Sequence, residues 1–186
     1  MIDHRPADTL GATANDLLSA RHHFCFAGYQ NPDRMSWGQL RVLNHNILAP
    51  GASWPPHPLS DVETLQWVRG GAISTMGSLG LVPPIGEGSV QVISTGRGIT
   101  CSHVNACDQP TDFFDIWFGP EVRNESPRRR IRRRVGTEVT DAWIALASGR
   151  RDRPGATPLR MDAAVYRAKL SMGSEIAYEL DAGRHA

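Results

Sequence analysis

From Trp37 onward the chain reads as short runs rich in Val, Ile, Thr and aromatic residues, each closed by Gly or Pro. Runs of this kind predict β-strands. They fall at 37–44 (WGQLRVLN), 64–70 (TLQWVRG), 88–96 (GSVQVISTG), 98–106 (GITCSHVNA) and 112–119 (DFFDIWFG). Their spacing, roughly 10 to 25 residues, predicts a small antiparallel barrel or sandwich. Ahead of them, residues 8–24 carry helix-like spacing around Leu17 and Leu18, with Thr13 as N-cap. Further runs at 139–149 (VTDAWIALASG), 158–170 (PLRMDAAVYRAKL) and 175–180 (EIAYEL) predict a smaller second set. So few strands leave open sheet edges, which the first set or another chain must cover.

With 186 residues, 40% of them hydrophobic, the chain can bury the core of one large domain or two small ones. The 18 Gly and 13 Pro exclude a helical bundle and suit strands joined by tight turns. Three cysteines make no disulfide framework, and their odd number points to a reducing compartment. The N-terminus lacks the apolar stretch of a signal peptide, and apolar runs reach only about six residues, far short of a bilayer span. A cytoplasmic protein with no membrane association is expected.

The net charge of +1 excludes a globally basic nucleic-acid binder, but its distribution is uneven: residues 128–134 read RRRIRRR, six Arg in seven positions. Such a run serves either as a phosphate contact or as a solvated linker. It follows Pro127 and a polar stretch and has no interleaved aromatics for base stacking, so the linker is the expectation and nucleic acid is not an expected partner.

Residues two apart on a strand share a face, so Cys101 and His103 point the same way. If that face is the barrel interior, a thiol and an imidazole converge there, both good ligands for zinc, iron, nickel or copper. His57, stiffened by Pro55, Pro56 and Pro58, is a third candidate. The competing reading makes Cys101 a small buried hydrophobe and His103 a hydrogen-bonded core group. Cys107 lies too far along the strand to pair with Cys101 unless the chain turns at Asn105, and Cys25 reads as core. Asp61 and Glu63 share a face that is expected to point outward or to the rim. Trp37, Trp54, Trp67 and Trp117 suit the lining or cap of a barrel, where they favour planar aromatic ligands.

The stretch from about residue 19 to 120, with its LRVLN, PG, GGAI and TGRGI elements, resembles the N-terminal cupin domain of the pirin family, which includes bacterial pirin-like proteins and quercetin-dioxygenase-type enzymes. The later segments WIALASGRRD, AVYRAKL and LDAGRHA resemble the start of that family's second cupin domain. The resemblance implies an all-β fold of jelly-roll (double-stranded β-helix) barrels: a cupin domain at 1–122, an Arg-rich linker at 123–138 and a partial second cupin domain at 139–186. It also implies a metal held by a His-x-His and a His-x-Glu pair. Here the pairs read His57-Pro58-Leu59 and Cys101-Ser102-His103, so only His57 keeps its ligand type. Two outcomes are open: a divalent metal (Fe, Zn, Ni or Cu) on His57, Cys101 and His103, with zinc or copper favoured by the softer set, or no metal.

The functions implied fall in an order, led by a small-molecule enzyme acting in the first barrel, with a metal-free variant close behind and a non-catalytic protein as the runner-up. One is a metal-assisted oxygenase acting on a planar aromatic or enolic small molecule; another is a metal-free cyclase or isomerase using His103 or Cys101 as general acid or base. The third is a non-catalytic binding or regulatory protein. A partial second barrel further implies a homodimer through residues 139–186.

Overall fold

In TDFFDIWF, residues 111–118, the side chains that point to either face are mostly buried. A strand of this kind needs cover on both faces. The computed structural model, which describes residues 4–150 and 155–186, provides it. The strands among the described residues are β1 (Gly11–Ala14), β2 (Leu18–His22), β3 (Leu40–Leu48), β4 (Ser53–Leu59), β5 (Glu63–Gly70), β6 (Ala72–Gly77), β7 (Val82–Gly86), β8 (Val90–Ser94), β9 (Ile99–Val104), β10 (Thr111–Phe118), β11 (Arg128–Arg132), β12 (Ile144–Ser148), β13 (Thr157–Pro158) and β14 (Ala164–Arg167). Seven form one sheet in the order β1-β2-β3-β10-β5-β8-β11, and four form a facing sheet in the order β4-β9-β6-β7. Both sheets are antiparallel throughout. This is the expected all-β cupin barrel.

Two apolar clusters fill opposite parts of the interior. Leu48, Val68, Ile73, Val82, Ile85 and Phe113 join the sheets at one end, and Ile93, Ile99, Cys101 and Leu59 at the other. The third sheet, β13-β12-β14, lies against the outer face of the larger one. Leu65, Val90, Val92, Ile116 and Phe118 meet Val135, Leu146, Ala147, Leu159 and Met161 there. Each fully buried aliphatic side chain in that layer is worth about 1.5–3 kcal/mol, so the second unit is bound to the first through a shared core.

Several expectations change on contact with the structure. Residues 8–24 are not a helix: β1 and β2 form a hairpin, because the Asn15 carboxamide accepts from the backbone N–H groups of Leu17 and Leu18 at 3.0 and 2.9 Å and turns the chain there. The Arg run is not a solvated linker. Residues Arg128–Arg132 pair with β8 as a strand of the barrel, and two guanidinium groups of the run find backbone acceptors across the barrel: Arg129 donates to the carbonyls of Leu79 and Gly80, and Arg133 to that of Pro84. The run at 158–170 divides into β13 and β14. Residues 175–180 form no strand; the C-terminal segment is held by side-chain bonds instead, Ser171 on Asp141 and Arg184 on Asp162.

Glu63 does point out of the barrel, but toward the second unit, where it is 2% exposed and accepts from the Arg160 backbone N–H. Asp61 sits in the preceding turn at φ 50° and bonds Asn124. Trp37 is exposed on the surface, and Cys25 is only half-buried, its sulfur against Asn31 and Met35. All three cysteines are free thiols. Among the described residues no helix is long and apolar enough to cross a membrane.

Candidate functional site

Strands β4 and β9 are adjacent, with His57 opposite Cys101 and Trp54 opposite His103. A bulge between Trp54 and His57 holds Pro55 and Pro56, which have no N–H to give to the ladder. The pairing brings all three candidate residues to one wall of the barrel interior, with Leu59, Thr64, Gln66, Ile93, Asp115 and Trp117 around them.

His57 is half-buried, and its Nδ1–H donates to the Pro55 carbonyl at 3.0 Å, which leaves Nε2 as an acceptor 3.9 Å from the Cys101 sulfur. Burial, and then the nearby Asp115 carboxyl, push the Cys101 thiol up to about 11. His103 is deeper, 6% exposed, with both ring nitrogens engaged: Nε2 with Gln66 Nε2 at 3.0 Å and Nδ1 with Thr75 Oγ1 at 3.1 Å. Gln91 Nε2 donates to both Gln66 Oε1 at 2.8 Å and Thr75 Oγ1 at 2.9 Å. With its oxygen so occupied, Gln66 can offer His103 only an N–H. His103 is therefore the neutral tautomer, accepting at Nε2 and donating from Nδ1. Burial, with His57 nearby, holds its pKa down to about 3.

This network belongs to a longer feature. On adjacent strands, His22 stands opposite Asn44, Asn44 opposite Asp115, Asp115 opposite Gln66 and Gln66 opposite Gln91. All five are at most 5% exposed, so a belt of polar side chains crosses the inner face of the seven-stranded sheet. Thr13 and His22 close one end through bonds of 2.9 Å. Burial drives the Asp115 carboxyl up to about 7, against the opposing pull of the Trp117 indole. Asp115, Gln66, Gln91 and Thr75 had not been singled out from the sequence. The signal was there for Asp115, which alternates with Phe113 and Trp117 and so had to share their inward face.

The residues present do not fit a metal. Leu59 packs with Ile93, Ile99 and Cys101 where the resemblance implied a second histidine. Both nitrogens of His103 are committed to Gln66 and Thr75. Among the described residues no three His, Cys, Asp or Glu side chains are arranged to hold an ion. The three residues expected as ligands, His57, Cys101 and His103, share one wall, with His57 Nε2 3.9 Å from the Cys101 sulfur and the His57 and His103 ring centroids 6.2 Å apart. The free space they enclose is only ≈ 10 Å³, about enough for one water.

The belt is a structural commitment that mutation exposes. Gln91→Leu strands the acceptors on Gln66 and Thr75, and the expected loss is about 1–3 kcal/mol of unfolding free energy in urea denaturation. A loss below about 0.5 kcal/mol, the ordinary scatter of surface substitutions, would show that the network adds nothing.

Residues 4–118 match the Pirin family model. A Pseudomonas aeruginosa protein provisionally named quercetin 2,3-dioxygenase is 40% identical over 186 residues, covering 100% of this chain and 80% of the relative. Quercetin 2,3-dioxygenase of Escherichia coli is 29% identical over 185 residues, 99% of this chain and 78% of the relative. Among solved structures, bacterial pirin YhhW from Escherichia coli, in complex with nickel(II), superposes with a TM-score of 0.81 at 28% identity, over 88% of this chain and 69% of that one. Matched in sequence across its first barrel and in fold across most of its length, the chain belongs to the pirin family.

Proposed function

We propose that this protein is a metal-free, ligand-binding member of the pirin family and not a dioxygenase. The observation that carries this reading is the filled barrel. A quercetin-sized substrate needs a pocket of at least about 300 Å³, whereas the space at His57, Cys101 and His103 is ≈ 10 Å³. The donor set weighs the same way, since Leu59 has no lone pair and His103 has none to spare. It also weighs against a cyclase or isomerase run by His103 or Cys101: a neutral imidazole bonded on both sides and a buried thiol have no route to a substrate proton.

Metal content per chain tests the reading, measured by mass spectrometry on protein purified without chelators or a polyhistidine tag, together with oxygen uptake on quercetin in added nickel(II). The expected result is less than about a tenth of an equivalent of any transition metal and no uptake above buffer. About one equivalent, lost in His57→Ala, together with quercetin-dependent uptake, would restore the oxygenase.

A further inference from the structure

If the barrel holds no ligand, the molecule offers one elsewhere. Between β11, β12, β14 and the C-terminal segment lies a cleft of ≈ 690 Å³, within the range of about 300–1,000 Å³ common to small-molecule sites. Three rings wall it. Trp143 precedes β12, Tyr166 is on β14 and Tyr178 is in the C-terminal segment, with ring centroids 5.3–6.4 Å apart in edge-on or tilted contact. The arrangement is pinned: the Trp143 indole N–H donates to the Ala177 carbonyl at 2.8 Å, and Asp141 holds Ser171 through both backbone and hydroxyl at 2.7 Å. The C-terminal segment is thus folded back as one wall of a cleft that is open to solvent, with Trp143 and Tyr178 partly exposed in it.

The slot carries charge of both signs, with the cation on its inner side. Arg132 lines it, and its Nη1 is buried with no hydrogen-bond partner among the described residues. Beneath Gly136, which also lines the slot, Arg167 Nη2 is equally without one. Glu179 contributes a carboxylate at the exposed rim. Both arginines are half-buried, and a buried guanidinium nitrogen requires an acceptor; the planar fork matches a carboxylate or phosphate. Flat aromatic walls beside such a fork select a flat ring that bears the anion.

We propose that the cleft between β11 and the C-terminal segment binds a small planar aromatic anion, with Arg132 taking the charge and Trp143, Tyr166 and Tyr178 taking the ring. The proposal rests on the reading of the protein as a binding protein and names its ligand class.

Titration with 1-naphthoate, followed by tryptophan fluorescence and calorimetry, tests it against 1-naphthylmethylammonium, which has the same ring and the opposite charge. Naphthoate is expected to bind at least tenfold more tightly than the ammonium probe. Arg132→Gln is expected to remove that preference, and Arg132→Lys to keep most of it. Equal binding of the two probes by the native protein overturns the proposal without any variant, as does a preference unchanged in a folded Arg132→Gln protein. A protein that sediments as a dimer at micromolar concentration, and binds naphthoate only on dissociation, also overturns it, and assigns the cleft to a second copy of the chain. Metal content is read on the same sample. Metal-free protein that ignores naphthoate refutes the cleft and leaves the barrel reading intact, whereas metal-loaded protein refutes the barrel reading whatever the cleft does.

Discussion

Asp115→Asn is expected to raise the stability of the protein at neutral pH by on the order of 2–4 kcal/mol, and to flatten its dependence on pH. The carboxyl is buried at the centre of the polar belt, where it titrates near 7; in the unfolded chain it titrates near its ordinary value of 3.8. Below about pH 4 both states hold the proton and Asp115 is neutral in each. Between about 4 and 7 the unfolded chain gives it up and the folded chain keeps it, so stability falls as pH rises through that window. Above about 7 both are ionised and the full penalty persists. Asparagine keeps the shape and removes the proton. Urea denaturation of both proteins at pH 4, 5.5 and 7 decides the matter: the curves of ΔG against pH should converge at the acid end and separate toward neutrality. Parallel curves would mean that the carboxyl is solvated in the folded protein.

The second large effect is a gain of metal. Leu59→His, Cys101→His and His103→Glu together rebuild the His-x-His and His-x-Glu pairs that the resemblance to pirins implies, at positions that the structure places on one wall of the barrel. The triple variant is expected to take up about one equivalent of nickel(II), where the native chain takes less than about a tenth. The metal should also stabilise the variant by about 4 kcal/mol at a thousandfold excess over Kd and leave the native melting temperature unmoved. Mass spectrometry and thermal denaturation with and without nickel(II) supply both readings. A folded triple variant that still rejects nickel would trace the loss to the closing of the barrel around Asp115 and the belt, and not to the missing donors.

The barrel strands and the shared face of Cys101 and His103 were legible because alternation is a strict geometric consequence of the extended chain. What eluded sequence reasoning has the opposite character: it depends on contacts that the spacing of residues does not carry. Gln66, Gln91 and Asp115 alternate with apolar residues as outward positions do, yet they face inward, because Leu65, Val90, Val92 and Ile116 on the other face are covered by the second unit. The Arg run read as solvated because charge ordinarily is; pairing with β8, distant in sequence, makes a strand of it, and the carbonyls of Leu79, Gly80 and Pro84 accept from two of its guanidinium groups. The turn at Asn15 depends on one side-chain oxygen, which hydrophobic spacing around Leu17 and Leu18 does not register. The fate of the metal site was half legible. Leu59 announced the loss of a ligand, whereas the double engagement of His103 required the positions of Gln66 and Thr75.

Strand β11 ends the seven-stranded sheet, and the run that contains it concentrates six cations in seven residues. An end strand exposes a ladder of unsatisfied amides and carbonyls, an invitation to edge-to-edge polymerisation. A like strand arriving from a second molecule would bring its own cations against these at a strand spacing of about 4.8 Å, where mutual repulsion opposes the pairing. The charge of the run thus opposes edge-to-edge pairing, an effect that fades as salt shortens its reach.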